Sequence, residues 1–219
     1  MVVHNVDKLF EESLAKSELS AKQKAVLRAS LDLFATQGFD RTSTRDIAQA
    51  AGVSEGTVYK RFKTKDAILQ ALLAPFVDEI IPQIAGEFVD NTMTKVPAEF
   101  ETLLHTILLD RFHYVMDNYR VVKIIASEVL QRPDLARQVT DRVRQLFVER
   151  FFPVIEHYQR AGQLVTWPPL QVISMIAGTM LSQGVMIFIT NQPHPDVATM
   201  VDQCVQFLMK GLSPQPLEK

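Results

Sequence analysis

Cysteine is nearly absent: the 219 residues contain one, Cys204. A lone thiol excludes an internal disulfide and any cysteine-built zinc cluster, and it fits a reducing, cytoplasmic setting. Glycine is scarce as well, with 8 residues, about half the ~7% usual in soluble chains. So few tight turns argue against an architecture of many short strands. The opening run MVVHNVDKLFEESLAKSELS has acids where a secretory signal needs an apolar stretch. No Ser-His-Asp order, glycine-rich phosphate loop or paired-carboxylate pattern stands out, so neither an enzyme nor a bound cofactor is expected. What is abundant is apolar surface, 47% of residues, which excludes an intrinsically disordered chain. The expectation is a helical protein of one large or two smaller domains.

The net charge of −2 conceals an uneven distribution. Residues 41–65 hold six bases (Arg41, Arg45, Lys60, Arg61, Lys63, Lys65) against the acids Asp46 and Glu55, whereas from residue 71 onward 12 bases face 16 acids. A compact basic head on an acidic body suggests a polyanionic partner for the head.

Helical punctuation runs through the chain. The first 19 residues read as a polar arm or short helix. Ser20 and Gln23 form a capping box, Val26, Ala29, Leu33 and Phe34 follow at helical spacing, and Gly38 ends the run. Ser43 or Thr44 caps a short helix through Ile47, Ala48 and Ala51; Gly52 interrupts; Ser54 caps another, Glu55 to about Arg61. A fourth helix begins near Thr64–Asp66, with Pro75 and Pro82 expected to kink or break it. Longer helices follow: from Pro97 to about Asn118, Tyr119 to Leu130, Asp134 to Gly162, Pro168–Pro169 to about Asn191, and Pro195 to about Gly211, before a loose tail. Val121–Ile125 is rich in β-branched residues but lies between helical segments and is assigned to helix.

Two short helices joined by Ala51-Gly52-Val53 make a helix-turn-helix pattern. Small Ala48 permits a close crossing, Gly52 supplies the positive φ of the turn, and Ile47, Val53 and Val58 pin both helices to the preceding one. Thr44, Arg45, Ser54, Glu55, Gly56, Thr57, Tyr59, Lys60 and Arg61 remain outside, with Lys63 just beyond. Hydroxyls, a phenol and cations near a helix N-terminus suit phosphates and base edges.

The run TRDIAQAAGVSEGTVYKRFKTKDAIL, following a helix that ends Phe34-Ala-Thr-Gln-Gly38-Phe39, resembles the DNA-binding domain of the TetR/AcrR family of transcriptional regulators over residues 20–70. The resemblance implies that Arg45, Glu55, Gly56, Thr57 and Lys60 face bases, and that Thr44, Tyr59, Arg61 and Lys65 hold phosphates. Arg61 departs from the family's usual Tyr or His, and Thr64 from its Ser or Asn. The implied organisation is an all-α chain: an arm (1–19), a three-helix DNA-binding domain (20–70), a helical effector-binding and dimerisation domain of about nine helices (71–213), and a tail (214–219).

From Ala161 to Pro195 there is no Asp, Glu, Lys or Arg. Val172–Ile189 reaches the ~18 residues of a membrane span, but Ser174, Thr179, Ser182 and Gln183 interrupt it and no nearby basic cluster would orient it. The favoured reading is a helix covered by its own domain on one side and a second subunit on the other. Ser174, Gly178 and Ser182 recur every four residues as a small-residue stripe, and the last helix offers Val201, Cys204 and Leu208, with Val197 and Val205, as its apolar face. The resemblance implies dimerisation through such a helix pair, presenting two recognition helices to a palindromic operator. It also places an apolar effector pocket in the body, where Phe112, Met116, Tyr158 and Trp167 are the lining candidates. Asp110, His113 and Asp117 share a helix face, but a satisfied core or surface histidine is favoured over a metal site.

The functional expectation is a cytoplasmic, dimeric transcriptional repressor, bound to double-stranded DNA and released by a small apolar or aromatic effector. Two other classes compete with it: a membrane-associated helical protein, and an all-α enzyme using a polar aromatic pocket.

Overall fold

The structure, a computed structural model, describes residues 5–93, 96–190 and 196–214. Every regular element among the described residues is helical, as composition and punctuation imply. The chain divides into two units. Among the described residues, a head unit contains residues 5–84 together with Asn118–Arg142; a body unit contains Ala85–Asp117 and the chain from Val143 on. A linear boundary at residue 70 does not coincide with this division, because the head recruits a later segment.

The head begins with α1 (Val6–Lys16), capped by Asn5, whose side chain accepts from the Lys8 N–H. Val6, Phe10 and Leu14 fall at i, i+4 and i+8 and are all buried. Phe10 stacks on Phe76 with centroids 5.0 Å apart, and Asn118 Oδ1 accepts from the Val6 N–H at 2.9 Å. The polar-arm reading missed this face because the three buried residues, spaced four apart among charged ones, form a stripe only once they are wound at 3.6 residues per turn.

Helix α2 (Ala21–Gln37) carries the Ser20–Gln23 capping box and stops at Gly38, φ +85°. Helices α3 (Thr44–Ala50) and α4 (Glu55–Phe62) pack on it and on each other, burying Ile47, Ala48, Val58 and Phe62. Helix α5 (Lys65–Pro75) contributes buried Ile68, Leu69, Leu72 and Leu73. Across the head, α8 (Tyr119–Gln131) packs on α2, where Arg120 pairs with Asp32.

The prolines do not break helices; they widen them. α5 runs through a π-helical turn, Phe76–Ile80, into α6 (Ile81–Met93). α9 (Pro133–Leu146) runs through a second, Phe147–Phe151, into α10 (Phe152–Arg160). Each turn is followed two residues later by a proline, Pro82 and Pro153. A proline lacks the N–H for the carbonyl four residues back and presses its ring on it. Those carbonyls belong to Asp78 and Glu149, inside the two π turns, where the wider ladder relieves the clash.

In the body, α7 (Phe100–Asp117) packs chiefly on α12 (Val197–Leu212). Their shared core includes Leu104, Leu108, Phe112, Val201, Cys204 and Leu208. Gln163 fastens the start of α7, its Oε1 accepting from Phe100 N–H at 2.7 Å and its Nε2 donating to Ala98 O at 2.8 Å. Helix α11 (Pro169–Thr190) is the expected charge-free helix. α12 starts at Val197 with Asp196 as its cap; Pro195, expected to open it, and residues 215–219 of the tail lie outside the described residues.

Candidate nucleic-acid interface and effector cavity

The turn between α3 and α4 follows from its sequence. Ser43 Oγ accepts from the Asp46 N–H at 3.1 Å, and Asp46 returns a carboxylate to the Ser43 N–H at 2.9 Å. The Ser43 hydroxyl and N–H hold the exposed Asp46 carboxyl below its ordinary range. Gly52 takes φ +65°, and the Val53 N–H reaches Ala48 O at 3.0 Å. Ser54 then caps α4, accepting from Thr57 N–H at 3.2 Å.

This frame leaves Arg45, Ser54, Glu55, Gly56, Tyr59, Lys60, Arg61 and Lys63 exposed, with Thr44 and Thr57 half-buried beside them. Tyr59 is 50% exposed, so its ring is no core residue. Four of the side chains are already engaged: Thr44 Oγ1 donates to Glu55 Oε1 at 3.2 Å, linking α3 to α4, and Ser54 and Thr57 share a hydroxyl–hydroxyl hydrogen bond at 2.9 Å. A Cβ built on Gly56 would meet nothing within 4 Å, so the protein itself does not demand glycine there. Lys63 ends α4 at φ +29°, a backbone setting that disfavours a side chain.

Lys65 is placed differently from a free phosphate hook. Its ammonium donates to Phe39 O at 2.8 Å and Asp40 O at 3.3 Å and lies 4.2 Å from the Phe39 ring centroid. It ties the α2–α3 loop to the start of α5, a role that local sequence pattern could not reveal across 26 positions. Asp66, in the first turn of α5, pairs with Arg132 at 2.8 Å, and Arg132 also pairs with buried Glu128 at 2.9 Å.

None of the four residues named for an effector site lines the apolar cavity of the body. Phe112 is buried in the α7–α12 core. Tyr158 is buried edge-on to Phe100 and donates its hydroxyl to Pro97 O at 2.6 Å, bracing the start of α7. Met116 is half-buried, and Trp167 is 40% exposed ahead of α11. An apolar cavity of about 230 Å³ does lie in the body, walled by Phe88 and Val89 of α6, Leu104, Ile107 and Arg111 of α7, Val154 of α10, and Ile176 and Met180 of α11. Arg111 covers the Phe88 ring at 4.0 Å and approaches the Tyr114 ring at 5.0 Å. Burial pushes the Tyr114 phenol up to about 12, with the Arg111 charge opposing the rise. The detectable signal in sequence was a cation at i+7 on the Leu104–Ile107 stripe.

The dimer candidates also divide. Ser174, Gly178 and Ser182 are exposed along α11, and a Cβ on Gly178 would meet nothing within 4 Å. Val201, Cys204 and Leu208 are instead buried within the chain's own core, and burial pushes the Cys204 thiol up. The apolar face read from α12 therefore serves α7, and its outward face carries Thr199, Gln203 and Phe207, the last 69% exposed. By length and composition alone, Lys65–Asn91 and Pro169–Ile187 could each cross a membrane. Of its apolar stretch the first has 44% buried in the single chain and the second 6%, with Ile173, Ile176 and Met180 of the second partly buried against the body core. Among the described residues no three His, Cys, Asp or Glu side chains gather as a metal site, and Asp110 is committed to Arg111.

Residues 26–72 match the family model of the bacterial regulatory proteins of the tetR family. The HTH-type transcriptional regulator YvkB of Bacillus subtilis is 29% identical over 134 residues, which is 58% of this chain and 64% of YvkB. YvdT of the same organism is 25% identical over 108 residues, 49% of this chain and 52% of YvdT. The chain thus spans between half and two thirds of these two relatives. Among solved structures, the transcriptional regulator FadR of Bacillus subtilis, in complex with stearoyl-CoA, superposes with a TM-score of 0.60 at 18% identity, covering 85% of this chain and 97% of that one. At that identity the likeness concerns the fold. Helix-turn-helix geometry and the matched segment lead to one assignment: residues 26–72 form a DNA-binding domain similar to that of the bacterial regulatory proteins of the tetR family, and both relatives are transcriptional regulators.

Proposed function

We propose that the protein is a cytoplasmic, dimeric, sequence-specific repressor that binds a palindromic DNA operator and is released by a small apolar effector. The observation that carries this reading is the α4 surface: Tyr59, Lys60, Arg61 and Lys63 stand exposed beside a capped helix N-terminus. A phenol and cations of this kind suit phosphates, with Thr44, Tyr59, Arg61 and Lys65 the proposed phosphate contacts and Arg45, Glu55, Gly56, Thr57 and Lys60 the proposed base-facing residues. Residues 20–70 supply this surface, and residues 71–213 supply effector binding and dimerisation.

A second copy of the chain is the proposed cover for α11, whose Leu181 and Met186 are more than half exposed. Bare apolar surface of this kind calls for a partner, and Ser174, Gly178 and Ser182 let a second helix approach. On α12 the proposed contribution is Thr199, Gln203 and Phe207. Two-fold symmetry then sets two α4 helices on successive half-sites.

The apolar cavity is the proposed effector site, and the stearoyl-CoA complex of the FadR relative supports a ligand in this fold. An effector shifts DNA affinity only if it binds the DNA-competent and DNA-incompetent states unequally. The covalent route from cavity to DNA surface is the helix that begins at Lys65 and continues through α6, which carries Phe88.

The test is selection of duplexes from a random pool by the purified full-length protein, followed by sedimentation of the free protein and titration of the selected duplex at several salt concentrations. A two-fold symmetric consensus, a dimer at micromolar concentration without detergent, and steep salt dependence are expected. Recovery of no consensus, or a monomer that requires detergent, would overturn the reading.

A further inference from the structure

The body cavity is hydrocarbon except at one place. Leu104, Ile107 and Arg111 follow one another at i, i+3 and i+7 along α7, so a guanidinium stands where the pattern calls for a third apolar side chain. Among the described lining residues it is the only charged one. Its side chain is 23% exposed, which places the head at the cavity rim. Two donors, Nε and Nη2, are spent on a single oxygen, Oδ2 of Asp110, at 2.9 and 2.5 Å. A guanidinium has five N–H donors, so three remain. Asp110 is itself 31% exposed and can turn to water without leaving a buried charge.

We propose that this cavity takes an apolar monocarboxylate, its hydrocarbon body against Phe88 and Ile107 and its carboxylate on Arg111 in exchange for that of Asp110. The inference rests on the effector reading above and names the ligand class. A cation that already holds a carboxylate at the mouth of a hydrocarbon cavity matches a molecule with the same two parts, since guanidinium and carboxylate pair through directed, charge-assisted bonds. A single negative charge leaves the site neutral once Asp110 is released. A phosphate dianion would leave a charge uncompensated beside hydrocarbon, which is costly. Size narrows the class further. An engineered apolar cavity of 150 Å³ accepts the six carbons of benzene, so about 230 Å³ corresponds by proportion to roughly nine non-hydrogen atoms.

4-Phenylbutyrate, with a phenyl ring and three methylenes ahead of its carboxylate, is the probe, and 4-phenyl-1-butanol is its uncharged counterpart. Each is titrated by calorimetry into the full-length protein, alone and with the selected operator duplex. The acid is expected to bind the wild type about tenfold tighter than the alcohol or better. Arg111→Met removes that preference. Asp110→Asn enlarges it severalfold, because the competing carboxylate is gone. Opposite effects at adjacent residues are not what a packing role would produce. Equal binding of acid and alcohol by the wild type, or binding of neither, overturns the proposal without any variant. Should both bind equally and still release DNA, the effector reading survives and the carboxylate assignment fails. Preferential binding of the acid with an undisturbed operator complex upholds the site and removes the release reading instead.

Discussion

Lys65 and Phe39 are joined twice: the ammonium donates to the Phe39 carbonyl at 2.8 Å and sits 4.2 Å from the centroid of its ring. Arg132 approaches the same ring at 5.2 Å, so one loop phenylalanine gathers cations from α5 and from the end of α8. The loop between α2 and α3 sets where α3 begins, and this clasp holds it. Lys65→Ala should lower the thermal midpoint, with a cost of about 1–2 kcal/mol for a charged donor on a partly exposed site. Lys65→Arg should restore part of it. Calorimetric unfolding of the three proteins checks this. An unchanged midpoint in Lys65→Ala would mean that the clasp contributes nothing.

Gly56 has open space around it and lies in the first turn of α4. Gly56→Ala should therefore raise stability by up to about 1 kcal/mol, through helix propensity. If the backbone there approaches DNA, the same methyl group should weaken binding of the selected duplex. Stability rising while affinity falls is the expected pairing; unaltered affinity would remove Gly56 from the interface.

Lys63 holds φ +29° at the end of α4. Lys63→Gly should stabilise the fold by about 1 kcal/mol, because the strain of a left-handed side chain is relieved. If the Lys63 ammonium neutralises a phosphate, the same substitution should lower the slope of log affinity against log salt by about 0.9. Urea unfolding and a salt titration read the two effects separately.

For the dimer, Gly178→Leu is informative because the single chain has room for the side chain. Folding of the chain itself should be unimpaired, whereas overpacking where two helices approach closely should cost the dimer about 1–3 kcal/mol. Sedimentation across a concentration series should show the dimer dissociating at higher concentration than wild type. Undiminished dimerisation would place the interface elsewhere.

Asp46 gives a pH dependence of known sign. Its carboxyl is held below the ordinary 3.8, first by the Ser43 hydroxyl and then by the Ser43 N–H. A depressed folded-state value means that the carboxylate's contribution is present above the unfolded value and is lost as pH falls through the folded one. The thermal midpoint should thus fall below about pH 4, and Ser43→Ala should reduce that part of the fall. Parallel pH–stability curves for the two proteins settle it.

Local chemistry was legible in sequence wherever the cause is local. The Ser20, Ser43 and Ser54 caps, the stops at Gly38 and Gly52 and the exposed face of α4 each depend on residues within four positions of one another, and pattern reading reaches that far. It failed where one face has two claimants. Val201, Cys204 and Leu208 form an apolar stripe whichever neighbour covers it, and periodicity cannot tell α7 from a second subunit. Pro75 and Pro82 announce a missing donor but not whether the helix ends or widens; buried Phe76, Val77 and Ile80 favour keeping the turn. The cavity is the clearest case. Apolar spacing states which side chains face inward, but a void is what remains when four helices of given curvature fail to fill the space between them. Sequence thus determined the helical class and the capped, exposed surface of α4, because caps, turns and charge act through neighbours along the chain. Tertiary structure alone decided that Lys65 clasps Phe39, that α12 spends its apolar face on α7, and that Arg111 stands at the mouth of a cavity, because each depends on partners brought together only by packing.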